Sequence, residues 1–72
     1  MRPSVVEEDI KILSLSKGLT DKLRKENMNS INDIWILKRK ELKELSFTDQ
    51  EIKSIIISLQ LRGLDLNKKI YH

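Results

Sequence analysis

Apolar residues recur along this chain at intervals of three and four, and most of these runs open on a residue able to cap a helix. The fullest run spans residues 48–66. Thr48 offers a hydroxyl to the free N–H groups of a first turn, and Glu51, three residues on, reaches back to the Thr48 N–H, which makes a capping box. Ile52, Ile55, Ile56 and Leu59 then share one face, and Gly63 stands just past the end, where a left-handed residue stops a helix. Upstream, Ser16 caps a helix expected from residue 17 to about residue 27, with Leu15, Leu19 and Leu23 as its apolar stripe. Ser30 and Asp33 form a second, weaker capping box ahead of a short helix carrying Ile31, Ile34 and Leu37. In the segment KRKELKEL, Leu42 and Leu45 are the apolar positions, and the triplet Lys38-Arg39-Lys40 is read as a solvated face. The brief link Ser46-Phe47 folds this segment back on the next helix as a hairpin, with Phe47 wedged at the corner.

Pro3 keeps the residue before it out of helix, so residues 1–6 are expected to form an extended arm, followed by a helical turn near residues 8–13. Val5, Ile10 and Leu13 would tack that arm to the core. No strand-period alternation persists over a useful length, and the apolar clusters at 34–37 and 55–57 go to helices on length and flanking caps. The expected fold is all-α, a compact bundle of four to five short helices containing a helix-hairpin-helix unit. The helical domain covers residues 7–69, and residues 70–72 are a tail.

Composition narrows what such a bundle can do. With 72 residues, the domain buries only a little over about 60% of the surface that its unfolded chain exposes, which leaves no room for a large internal cavity. Its 39% hydrophobic residues are mostly Ile and Leu, and Trp35, Phe47 and Tyr71 are the only aromatics, so the core suits packing rather than enclosure of a cofactor. There is no cysteine, which removes disulfides and thiolate metal sites and fits a reducing compartment. Acidic residues near the start stand where a secretion signal needs an apolar run, and no apolar run approaches a membrane span, so the chain is expected to be soluble and cytoplasmic. Fourteen basic against eleven acidic residues leave a net charge of +3, which permits a polyanionic partner without demanding one.

Catalysis finds no footing. His72 is the sole histidine, Glu7-Glu8-Asp9 lies on a solvated segment, and the two isolated glycines match no phosphate-cradling fingerprint. The expectation is a binding module that is not an enzyme, with no cofactor, no metal and no small-molecule substrate.

The order Leu15-Ser16, Leu23, Ile31-Asn32-Asp33-Ile34, Glu41-Leu42, Glu51-Ile52 and Gly63-Leu64-Asp65-Leu66 resembles the C-terminal domain of the bacterial RNA polymerase alpha subunit, over residues 6 to 69. The resemblance implies a helix-hairpin-helix bundle that docks on the minor groove of promoter DNA and meets transcription factors. In that family an Arg and an Asn stand at the positions of Gly18 and Asp21, and a glycine with two lysines precedes the last helix where this chain has Leu45-Ser46-Phe47-Thr48. A glycine at a helix start lets a phosphate approach the free N–H groups, and a lysine adds Coulomb attraction. With Phe47 and Asp49 there instead, the expected contact with A·T-rich duplex DNA is weak. It would use Lys17, Lys22, Lys25, Thr48 and Lys53. The alternative is a protein-interaction module that kept the fold and engages proteins of the transcription machinery through Trp35, Phe47 and Ile57.

Overall fold

The hydroxyls offered by the sequence set three of the four helix starts. The computed structural model describes residues 4–71, and in it α1 (Lys17–Lys25), α2 (Ile31–Trp35), α3 (Arg39–Glu44) and α4 (Asp49–Gln60) follow one another in an all-α bundle. The Ser16 hydroxyl accepts the Leu19 N–H at 3.2 Å. Ser30 accepts the Asp33 N–H, while Asp33 in return accepts the N–H groups of Ser30 and Asn29 at 3.1 and 3.0 Å. Thr48 and Glu51 close the expected box at 3.1 and 2.8 Å. α3 starts without a hydroxyl, and there the Glu41 carboxylate accepts the Lys38 N–H at 2.9 Å. Each of these bonds satisfies a donor that the helix itself leaves free.

Helix ends are marked by left-handed residues. Asn27 (φ 61°) follows α1, Ser46 (φ 71°) follows α3 and Gly63 (φ 77°) follows α4. Only Gly63 takes this conformation without a Cβ penalty. α4 ends at Gln60 and residues 61–63 turn the chain, with Gly63 left-handed just past the end as expected, so Leu64-Asp65-Leu66 lies outside the helix. The core runs through all these elements. Val6, Ile10, Leu23, Ile31, Ile34, Leu42, Ile52, Ile55, Leu59 and Leu64 are all fully or almost fully buried, and each contributes about 1.5–3 kcal/mol by leaving water.

Two expectations are corrected. Residues 4–6, expected in an extended arm, belong to a single 3-10 turn, Ser4–Glu7, which packs on α2 with Val6 completely buried. A second such turn, Ile10–Leu13, follows at the place where a helical turn was expected. A core this small gains too much from Val6 and Ile10 to leave them in water, and backbone bonds hold the segment in place. The Ile10 N–H donates to Asn29 O at 3.0 Å, and the Ile31 N–H donates to Glu8 O at 2.9 Å. The start of the expected arm, residues 1–3, and His72 lie outside the described residues.

The second correction concerns the end of the domain. β1 (Leu64–Asp65) and β2 (Lys69–Ile70) pair as a short antiparallel ribbon, with Leu64 opposite Ile70 and Asp65 opposite Lys69. Two-residue strands are too short to show alternation, so no strand pattern is visible in the sequence. Asn67 and Lys68, both left-handed, form the ribbon's turn, and their N–H groups donate to Leu37 O and Trp35 O at 2.8 and 2.9 Å. These bonds satisfy carbonyls at the end of α2. Ile70 and Tyr71 are therefore part of the folded ribbon region, with the Tyr71 N–H bonded to Gly63 O.

Candidate functional site

Two residues expected at a protein-binding surface are core residues. Trp35 is 5% exposed, and its indole N–H donates to Lys69 O at 2.9 Å, so the ring fills the space between α2 and the ribbon. Phe47, in the connection between α3 and α4, is 3% exposed, which withdraws it from any partner. A domain with so few large side chains spends them on its interior. Ile57, at 47% exposed, is on the surface as expected.

The lysines and the threonine expected to touch DNA are dispersed. Lys22 reaches from α1 to the connection between α3 and α4. There its ammonium donates to Ser46 O at 2.6 Å and to Glu51 Oε1 at 2.9 Å, and it stands 4.7 Å from the centre of the Phe47 ring. It is a strut of the fold, since hydrogen bonds, an ion pair and a cation–π contact all engage one charge. The Thr48 hydroxyl is occupied by the cap. Lys17 and Lys25 are exposed on α1, and Lys53 is exposed on α4.

At the start of α4 the electrostatics disfavour a phosphate. The Thr48 N–H, followed by Lys22, holds the Glu51 carboxyl below its usual pKa, and Lys43, 2.6 Å from Asp49, does the same there. Two carboxylates thus stay ionised beside the free N–H groups, where they take the place of an external anion.

The concentrated positive charge lies elsewhere. Lys38, Arg39 and Lys40 at the start of α3 meet Lys69 of β2 around a shallow groove of about 340 Å³, floored by Ile56 and Leu66. Arg39 and Ile56 continue into an adjoining groove of about 450 Å³, which Lys53, Ile57, Gln60 and Asp49 complete. None of these five cations joins an ion pair among the described residues. Of fourteen basic and eleven acidic residues in the chain, five and two line these grooves, leaving nine of each elsewhere. The net charge of +3 is therefore the charge of this one face.

Of the residues singled out from the sequence, only Lys53 and Ile57 line this face. The KRK triplet was the visible signal for the rest, but it reads as a solvated helix surface until the ribbon brings Lys69 beside it. No periodicity links residues 38–40 to residue 69, because docking of the ribbon onto α2 makes that link.

Among the described residues, no group of His, Cys, Asp and Glu is placed to hold a metal ion, and no helix is long and apolar enough to cross a membrane. Comparison with protein-family models and with curated proteins finds no match to the chain.

Proposed function

We propose that this domain is a binding module, not a catalyst, that contacts the phosphate backbone of duplex DNA through the face formed by Lys38, Arg39, Lys40, Lys53 and Lys69. The observation that carries the reading is the gathering of the chain's whole net charge on two adjoining grooves, with none of the five cations in an ion pair among the described residues. Such charges attract a polyanion and release its counterions on contact. Duplex is favoured over single strand because neither groove lining includes an aromatic platform for unstacked bases: Trp35 and Phe47 are buried, and the half-exposed Tyr71 lies outside both linings. The contact is one of position rather than base reading. The resemblance to the RNA polymerase alpha C-terminal domain, with its helix-hairpin-helix unit, adds transcription in the cytoplasm as the setting. The DNA-facing surface is shifted from the α4 start to the grooves beside it.

Fluorescence anisotropy with a labelled A·T-rich duplex at several salt concentrations tests this. If each of the five cations neutralises one phosphate, log K falls against log salt with a slope of roughly −4.5, and the triple variant Lys38→Gln, Lys40→Gln, Lys69→Gln makes the slope shallower by about 2.7. The pair Lys17→Gln, Lys25→Gln leaves it nearly unchanged. Absence of binding at low salt, or a slope that the triple variant does not alter, would overturn the proposal.

A further inference from the structure

α4 carries an apolar stripe that its own fold leaves uncovered. Ile57 is 47% exposed and Leu61, one turn on, is 77% exposed, so the two lie on the same side of the helix axis and face outward together. Ile56 is half-buried beside them, and Leu15, partly buried, approaches Ile57 from the segment before α1. On one flank of Ile57 the groove wall is Ser14, Ser16, Ser54 and Ser58, which carries no charge. On the other flank stand Arg39 and Lys53. The one carboxylate on that flank, Asp49, is paired with Lys43 at 2.6 Å.

An apolar stripe with neutral hydroxyls along one edge and two cations along the other selects its occupant by charge. A basic or phosphate-bearing ligand has no use for Ile57 and Leu61, and an uncharged apolar segment leaves Arg39 and Lys53 without partners. A helix with apolar side chains at i and i+4, flanked on one side by Asp or Glu, satisfies both features. The complementary charges steer such a segment in and set its orientation, while the apolar pair supplies the buried area.

We propose that the Ile57 and Leu61 stripe, with Arg39 and Lys53 on its border, docks an acidic amphipathic helix of a partner protein. This surface is independent of the DNA reading in its apolar part and shares with it only the cations at the groove's edge. The apolar pair accounts for affinity and the cations for selection against other helices.

The test uses three synthetic peptides with the full chain. One is an acidic amphipathic helix with Leu at i and i+4, another carries Lys for each acid, and the last carries Ser for each Leu. Expected is saturable binding of the acidic peptide alone, with amide shifts at Lys53, Ile57 and Leu61. The double variant Ile57→Ser, Leu61→Ser, at exposed positions that leave the core intact, should weaken that binding at least tenfold, and Leu61→Ser alone, at a position that lines neither cationic groove, should weaken it while leaving the duplex salt slope unchanged. Equal binding of the acidic and lysine peptides would overturn the charge argument and the proposal with it. So would acidic-peptide shifts confined to Lys38, Lys40 and Lys69, which mark a general polyanion surface. Self-association that shifts Ile57 and Leu61 without any peptide would assign the stripe to a second copy, and absence of binding by all three peptides would dismiss it. Loss of duplex binding with retained peptide binding overturns only the DNA proposal.

Discussion

Replacing Lys22 with methionine separates a structural lysine from a ligand-binding one. The methionine stem still covers Phe47, but the charge that reaches Ser46 O and Glu51 is gone. A hydrogen bond from a charged donor contributes about 1.5–3 kcal/mol, and the lower end applies here because the site is partly open to water. The ion pair, with side chains 32% and 28% exposed, adds about 0.5 kcal/mol. The cation–π contact adds about 0.5–1 kcal/mol. These contributions share one ammonium and are not additive, so the expected loss is about 2 kcal/mol. For a domain of this size that corresponds to a fall in Tm of about 10 °C. Thermal unfolding followed by far-ultraviolet circular dichroism, alongside duplex anisotropy on the same variant, reads both effects. An unchanged Tm together with a clear loss of duplex affinity would refute the reasoning, because it would make Lys22 a ligand contact and the strut an idle geometry.

The two glycines should respond to alanine in opposite directions, as measured by urea midpoints. Gly18 lies in the first turn of α1 with nothing near the position of a Cβ, so Gly18→Ala should stabilise by about 0.5–1 kcal/mol. At Gly63 the added Cβ meets only Tyr71 O at 3.9 Å, and the cost of Gly63→Ala comes from its φ of +77°, about 1–2 kcal/mol. Acid should unfold the domain through its paired carboxylates. Asp9 is held below its ordinary 3.8 by Arg24, Asp33 by the Ser30 N–H and Asp49 by Lys43, while Glu51 is held below 4.5 by the Thr48 N–H and then Lys22. Because the folded values are the lower ones, the unfolded chain takes up protons first, and the stability these groups supply is present above those ordinary values and lost progressively below them. The urea midpoint should therefore stay level from neutrality to about pH 5 and then drop, more gently in Glu51→Gln; a level midpoint down to about pH 3 would count against these pairings.

Much of the helical skeleton is legible because capping operates over three residues. Ser16, Ser30 and Thr48 stand directly before the helices they start, and most of the apolar positions spaced behind them are buried, with Ile56 only partly so and Leu37 beyond the end of α2. Gly63 marks the stop of α4, but nothing local shows what the residues beyond it do. The apolar pattern continues through Leu61, Leu64 and Leu66, and only the turn before Gly63 and the pairing of Leu64 with Ile70 divide it between helix and ribbon. The same limit explains the arm. Pro3 marks a local restriction, but burial of Val6 against α2 is a long-range gain that no local signal carries.

The sequence by itself determined the all-α class, three of the four helix starts and the exposure of Ile57, since each follows from neighbours within one helical turn. Only the tertiary structure decided what the scarce large and charged side chains are used for. It buried Trp35 against Lys69 O, tied Lys22 to the α3 to α4 connection, and gathered Lys38, Arg39, Lys40, Lys53 and Lys69 on one face. The physical reason is that a cap is a bond between near neighbours, whereas burial and a charged groove depend on which distant surfaces the packing brings together.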